Sequence, residues 1–595
     1  MPQTKKQGSK SYTYYSIAES YREGSKIFTR ILFRLGKLSP TKVEQIKAIL
    51  EVVRSQEIQV LCLEDLIFSN HWSYLDVAVL NHQWEAWRLS SVFGREKGAK
   101  DLATVDVAKV LTFNRCLDPG SKSYASRWVK TTSLDRILKI DADKVNDDRI
   151  YRELPNIEAK KESLEQHLFG QLRRRVPENL EMVFYDLTSS HFEGTHCSLA
   201  RPGRTKSCGF KSHKIVFSLV VDQEGYPFSW DVLEGNTPDV KTIERKIKEC
   251  KERFGIEHIM LVFDRGMVSK ANLELIEKEG YHYISALDKD EISGVPGIDL
   301  NWFKGEDPQG IIHALIQDYG FDKYDKDLYF KALEREGKRY VVGFNPTLFV
   351  EQRRIRQERI DRVLCFISQK NKALKQVRKS IGKESLTQAV SKKLKGLKSF
   401  YKPQFEPLTY QITKTSKKGT QVKTIHSFQI SFEVHAEKLA QAKLSDGVCV
   451  FITNDKDLDR KGKLKYPAHR VIGSYRAKTK VEEAFREIKS FVELNPIYVF
   501  KPEHVKAHYT LCVLAYLMNI SITLQVKDAG TTSLKSASAI YHELSRCILG
   551  EFRAEAQGKS VYKTTTATSG QKEILSALNC EELLQKSYLK KLGIS

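Results

Sequence analysis

The chain has 595 residues, with 97 Lys and Arg against 74 Asp and Glu, and a formal net charge of +23. At 41% hydrophobic and 10% aromatic it can bury sizeable cores, which excludes a disordered chain, and its length implies about three or four domains. The positive excess attracts polyanions, so nucleic acid ranks ahead of a merely solvated basic surface; charge alone does not separate an enzyme from a binder.

Taken in chain order, the first residues (MPQTKKQGSKSYTYY) lack the apolar run of a secretory signal. The stretch around Glu23-Gly24-Ser25 predicts a short hairpin. Ser39-Pro40 then opens a helix through Leu50. From about Leu61 to Arg175 the pattern is helical, broken at Asp118-Pro119-Gly120, with one long amphipathic helix expected from Asp147 to the basic run Arg173-Arg174-Arg175. Such a region suits either DNA reading or a helical scaffold.

At Glu181 the texture changes. EMVFYDLTSS, HKIVFSLVVD and Pro227 to Leu233 read as three strands, and a helix from about Asp239 to Phe254 comes next. The strand HIMLVFDRG, a helix near Lys270 to Glu279 and the strand YHYISAL complete the order of a ribonuclease-H-like α/β core. KDLYFKALEREGKRYVVGF predicts a hairpin turning at Glu336-Gly337. A Lys-rich helical tract from Glu351 to Lys398 leads into an alternating β-ribbon over FEPLTYQITKTSKKGTQVKTIHSFQISFEV, and GVCVFITND returns the chain to a core. Ala507 to Val526 carries no Asp, Glu, Lys or Arg and has the length of a membrane span. His508, Asn519, Ser521, Thr523 and Gln525 interrupt it, so a buried core helix and no membrane partner are expected.

Ten cysteines form no CxxC pair. Cys62, Cys116, Cys250, Cys365, Cys449, Cys512, Cys547 and Cys580 sit in apolar or helical surroundings, which suits free thiols in a reducing cytoplasm. His196, Cys197, Cys208 and His213 lie close in sequence, but their spacing matches no usual zinc pattern.

Two apolar strands end in an acid, Asp186 in FYD and Asp264 in VFD, and the carboxyl ends of strands are where open α/β sheets bind ligands. Either one alone would also fit an ordinary turn. In SYRAKTKVEEAFREIKSFVEL, the residues Val481, Ala484, Phe485, Ile488 and Val492 share an apolar stripe. The opposing stripe holds Tyr475, Lys478, Glu482, Arg486 and Lys489: a metal-binding acid beside a phosphate-holding row, or a salt-bridged surface helix.

The segment from Tyr475 to Lys489 resembles the Tyr-x2-Arg-x3-Glu-x6-Lys signature of bacterial insertion-sequence DDE transposases, with Lys478 standing where the signature has Arg. YDLTSSHFEG, LEGNTPD and VFDRGMVS resemble the family's first-Asp strand, Gly-Asn-Thr segment and second-Asp strand. ESYREGSK…RLGKL and FNRCLDPGSKSYASRW resemble the N-terminal part of one subgroup, so the likeness runs over nearly the whole chain.

The resemblance implies a multidomain α/β protein: a ribonuclease-H-like catalytic core interrupted by a β-rich insertion, between a helical N-terminal and a helical C-terminal region. The expected layout is a hairpin and helix over 1–60, a helical DNA-binding region over 61–178, core over 179–287 and 446–530, a basic β-rich insertion over 288–445, and a helical region over 531–595. The insertion accounts for the wide gap from Asp264 to Glu482 (482 − 264 = 218). The family's triad carries over to Asp186, Asp264 and Glu482, and three such carboxylates can hold two Mg²⁺, or Mn²⁺, about 3.5–4 Å apart. Tyr475, Lys478, Arg486 and Lys489 are then the DNA-binding residues; Lys478 offers a point charge where Arg offers a bidentate fork. Implied partners are double-stranded transposon ends and target, handled by a homodimer in the bacterial cytoplasm at the nucleoid. Some relatives stack a flipped base on an aromatic of the insertion; Trp302 is the candidate by position, against packing in a core. The rival readings are a ribonuclease-H-like nuclease and a domesticated, inactive DNA-binding protein, and the intact acids speak against the second.

Overall fold

The computed structural model describes all residues except 8–9, 55–65, 95–101, 195, 203–212, 257–258, 268, 417–418, 531–532, 555–558 and 595. They form two compact units: Met1–Leu75 with Ser545–Thr568 and Glu581–Ser595, and Asp76–Leu544 with Ser569–Cys580.

In the first unit, the expected hairpin of Lys10–Glu23 and Lys26–Gly36 turns at Gly24, whose φ of +58° favours glycine. Pro2–Gln7 adds a third antiparallel strand, pairing Pro2 with Tyr15 and Gln7 with Lys10. The Lys- and Gln-rich start has no alternating pattern to announce it. The helix is Pro40–Arg54, opened by Ser39. Two helical expectations need correction. Leu66–Ser73 is a strand rather than the start of a helical region, and it pairs with Ile548–Ala554, which pairs with Lys559–Thr564. The region 531–595 is therefore not all helical. This pairing joins residues as far apart as Ser69 and Glu551, 482 positions, and no local period reports it.

In the second unit, Thr104–Leu117, Asp147–Ala159 and Lys161–Arg175 are helices. The single long helix expected from Asp147 is two, separated at Lys160, whose ψ of −4° leaves the helical range. Thr104–Leu117 and Asp147–Ala159 pack on Pro502–Ala529. That helix is apolar and long enough to cross a membrane, yet it is lined with buried residues from His504 to Val526, as a core helix is.

Among the described residues the central sheet has ten strands. Met182–Phe192, His213–Val221 and Pro227–Glu234 run antiparallel in succession; Met260–Val262 pairs parallel to Met182–Phe192, and His282–Ala286 parallel to Met260–Val262. The register matters for function. Phe184 stands opposite Val262, so Asp186 and Asp264, each two residues further on, come level just past the end of Met260–Val262. The strand expected to end at Asp186 instead runs on to Phe192, because its polar residues keep pairing with His213–Val221.

The hairpin Leu328–Arg335/Lys338–Phe344 turns at Glu336-Gly337, both at positive φ. It is not a separate layer, because Lys338–Phe344 pairs with Val448–Thr453 and so extends the central sheet. The next stretch is half helical: Pro346–Leu374 and Lys383–Lys393 precede the ribbon Tyr401–Ser416/Gly419–Val434. Ile360, Val363, Ile367, Leu386, Val390 and Ile430 close a small core of their own there.

Gly235, in the LEGNTPD segment, lies where a Cβ would stand 1.9 Å from the Lys214 carbonyl oxygen and 3.1 Å from the Arg201 nitrogen. Both obstacles are backbone and cannot rotate away. Gly235→Ala is expected to destabilise this unit by about 1–3 kcal/mol, the usual cost of overpacking, and to lower the melting temperature in a thermal unfolding scan.

Candidate active site

Asp186 lies on Met182–Phe192 where burial gives way to partial exposure, and its Oδ1 accepts the Leu187 N–H at 2.8 Å. Asp264 comes just after Met260–Val262 and likewise accepts the Arg265 N–H at 2.8 Å. Glu482 stands in the first turn of Thr479–Ser490, whose apolar stripe Val481, Ala484, Phe485 and Ile488 is buried as its spacing predicts. The segment from Tyr475 to Lys489 is two helices, Ala468–Ala477 and Thr479–Ser490, joined at Lys478 in the right-handed region.

The side chains of this segment draw the strand ends together. Lys478 is buried; its Nζ lies 2.6 Å from Glu482 Oε1 and 3.8 Å from Asp264 Oδ1. The Tyr475 hydroxyl reaches Asp264 Oδ1 at 3.5 Å, while its ring rests against Phe451 with centroids 5.1 Å apart. Lys489 Nζ donates to the Ser189 carbonyl at 3.0 Å and to Thr188 Oγ1, just beyond Asp186. Arg486 is exposed and, among the described residues, makes no ion pair with the three acids. Arg476 points elsewhere, pairing with Asp325 and covering the Tyr324 ring.

The electrostatics agree. Burial pushes the Asp186 carboxyl up to about 6; Asp264 and Glu482 push the same way, and the Leu187 N–H and Lys478 oppose them. The Tyr475 phenol is held well above its usual range, first by burial and then by Asp264. Asp186 thus feels two other carboxylates, which is the repulsion a bound cation relieves. The ligand oxygens are not clustered as tightly as in one further group, His282, Asp455 and Asp457, whose ligand atoms lie within 4.8 Å of one another.

Beside Lys489 opens a cavity of about 630 Å³, lined by Thr188, Ser190, His191, Glu193 and Asn495 among others. Ser190 Oγ donates to Asn495 Oδ1 at 2.7 Å. The sequence alone does not single out Thr188, Ser189 or Asn495; the polar run directly after FYD is the signal it offers. Arg265, paired with Asp288 at 3.3 Å, is another cation next to Asp264 that no motif marks. Trp302 is half-buried rather than a core residue: it packs with Tyr319 and Phe321 at centroid distances of 5.9 Å, and Lys331 Nζ lies 5.1 Å from its ring centroid. Of the His/Cys group, Cys208 lies outside the described residues and Cys197 is a buried free thiol.

Two protein families match this chain. The family described as "IS1634 family transposase, N-terminal domain" matches residues 2–58, and "Transposase DDE domain" matches residues 183–518. No curated protein matches. Solved structures similar to this chain include a piggyBac transposase synaptic complex with hairpin DNA (9% identity, 88% of this chain and 86% of that one, TM-score 0.32). Another is a Mos1 transposase paired-end complex with the left transposon end (12% identity, 40% and 71%, TM-score 0.14). The DDE match spans more than half of the 595 residues and contains Asp186, Asp264 and the helix of Glu482. The chain belongs to the DDE transposases of insertion sequences, with an N-terminal domain of the IS1634 kind.

Proposed function

We propose that this transposase cuts the DNA at the ends of its insertion sequence and joins them to target DNA at a site made of Asp186, Asp264 and Glu482. The observation that carries the reading is the meeting of three distant segments: Lys478 faces Glu482 and Asp264 together, and both acids add to the burial that raises the Asp186 carboxyl. Setting aside the two-residue strand Arg201–Pro202, the sheet's first five strands lie in the order third-second-first-fourth-fifth, which supports a ribonuclease-H-like core.

The donor set is all carboxylate, which suits hard divalent cations of the Mg²⁺ class, with Mn²⁺ as a substitute and two ions per site. Such ions, when bound, ease deprotonation of an attacking water or 3′-hydroxyl and stabilise the departing oxygen. Asp186, Asp264 and Glu482 would hold them. No residue need form a covalent bond to DNA, because both steps are displacements at phosphorus: an oxygen attacks in line, and the opposite P–O bond leaves with its electron pair. Lys478, buried between two of the acids, balances their charge and orients Glu482. Tyr475, Lys489 and the exposed Arg486 line the approach and hold the phosphates of the end, Lys489 from beside Thr188. Double-stranded ends and target are the partners. Two ends must be joined in one event, so a homodimer is the working unit.

A nuclease of the same fold would hydrolyse only. The deciding experiment offers the protein, with Mg²⁺, a precut end carrying a 3′-hydroxyl and a supercoiled target. Covalent end–target product is expected; cleavage without joining would replace this reading with a nuclease.

A further inference from the structure

At the opposite edge of the central sheet from Asp264, three metal-ligating side chains meet. His282 opens His282–Ala286 and is level with Met260, four residues before Asp264; at roughly 3.3 Å per residue that is about 13 Å along the strands. Ile284 stands opposite Thr453, so Asp455 comes level with His282, and Asp457 lies two residues on. His282 Nε2 lies 3.2 Å from Asp457 Oδ2, and Nδ1 lies 4.0 Å from Asp455 Oδ1.

The chain leaves this cluster unsatisfied. Asp455 is 1% exposed, yet among the described residues neither of its carboxylate oxygens makes a hydrogen bond. Arg339 Nη1 lies 3.6 Å from Asp455 Oδ2 and donates its hydrogen bond to the Asp455 backbone carbonyl instead. Among the described residues, His282 Nδ1 is also without a hydrogen-bond partner. Interiors rarely orphan even one such group. Orphaned atoms on two adjoining side chains of one cluster call for a common partner, and two acids with one imidazole call for a cation.

We infer that His282, Asp455 and Asp457 bind one first-row divalent cation of the zinc class. Ligand atoms on such an ion sit roughly 3–3.6 Å apart, and one atom from each of the three side chains already lies within 4.8 Å of the other two. Mixed imidazole and carboxylate ligation favours zinc over magnesium, which separates this site chemically from the all-carboxylate triad. Its role is structural. It would tie the strand returning from the insertion, Val448–Thr453, to the strand next to the one that carries Asp264.

The test uses the full chain carrying Asp264→Ala and Glu482→Ala, so that the triad no longer competes. After chelator treatment it is equilibrated with zinc chloride, desalted and analysed for metal. About one zinc per chain is expected, with Asp457→Asn and His282→Gln each lowering retention by about tenfold or more. Asp457 is more than half exposed, so Asp457→Asn leaves the fold intact, checked by an unchanged melting temperature in chelator. Cobalt(II) in place of zinc should give a visible absorption band that His282→Gln alters. Either of two results overturns the inference: no zinc retained, in which case a protonated His282 simply bridges the two aspartates, or equal retention by Asp457→Asn.

Discussion

Asp186→Ala, Asp264→Ala and Glu482→Ala are each expected to slow cutting of a labelled transposon end by roughly 10²–10³-fold or more, the scale of losing one preorganised charge-stabilising group. Binding of the end should survive. Asp264 and Glu482 are about half exposed, so their truncation opens no cavity. Asp186 is more enclosed, but burial already pushes its carboxyl up to about 6, so the fold gains nothing from its charge. Glu482→Ala also releases Lys478 from its 2.6 Å partner and leaves it beside Asp264 alone. Single-turnover cleavage in Mg²⁺, with binding measured on the same duplex, checks all three. Normal cutting by any one variant removes that residue from the site.

The second large effect separates two neighbouring cations. Lys489→Ala is expected to weaken end-specific binding by about tenfold to a hundredfold, the worth of a charge-assisted hydrogen bond. Arg476→Ala should change it by less than about fivefold, as expected for a surface ion pair. Both remove one positive charge, so a general loss of attraction for DNA would affect them alike. The difference is direction. Lys489 reaches Thr188 and Ser189, directly after Asp186, whereas Arg476 is committed to Asp325 on the hairpin side. Affinities for an end-containing and a scrambled duplex decide the matter. A larger end-specific loss for Arg476→Ala would shift the phosphate-holding row by one residue and weaken the assignment of Glu482.

What could be read from the sequence was what repeats locally. The strands that carry or precede Asp186 and Asp264 and the buried face of Thr479–Ser490 derive from apolar periods of two and 3.6, although the first strand runs on past Asp186 to Phe192 through polar residues that the pattern reads as its end. The Glu336-Gly337 turn was legible for the same reason, since its chemistry is confined to two residues. Pairings between distant segments were not legible: Leu66–Ser73 with Ile548–Ala554, and Lys338–Phe344 with Val448–Thr453, which moves the hairpin from the insertion into the central sheet. The break at Lys160 is one residue long and leaves the helical period on both sides unaltered. In the site, the row from Tyr475 to Lys489 was visible, but not its division of labour. Lys478 faces inward between two acids and Arg486 faces solvent, a difference set by the turn at Lys478.

The central claim is that Asp186, Asp264 and Glu482 share bound metal. Iron(II) can replace Mg²⁺ and, with ascorbate and peroxide, generate hydroxyl radicals that cut the polypeptide next to the bound ion. Mapping the fragments of the full chain tests the claim most directly. Cuts beside all three residues are predicted, suppressed by excess Mg²⁺ and lost together in Asp264→Ala. Cuts beside one residue only, or cuts near Asp186 and Glu482 that persist in Asp264→Ala, would contradict it.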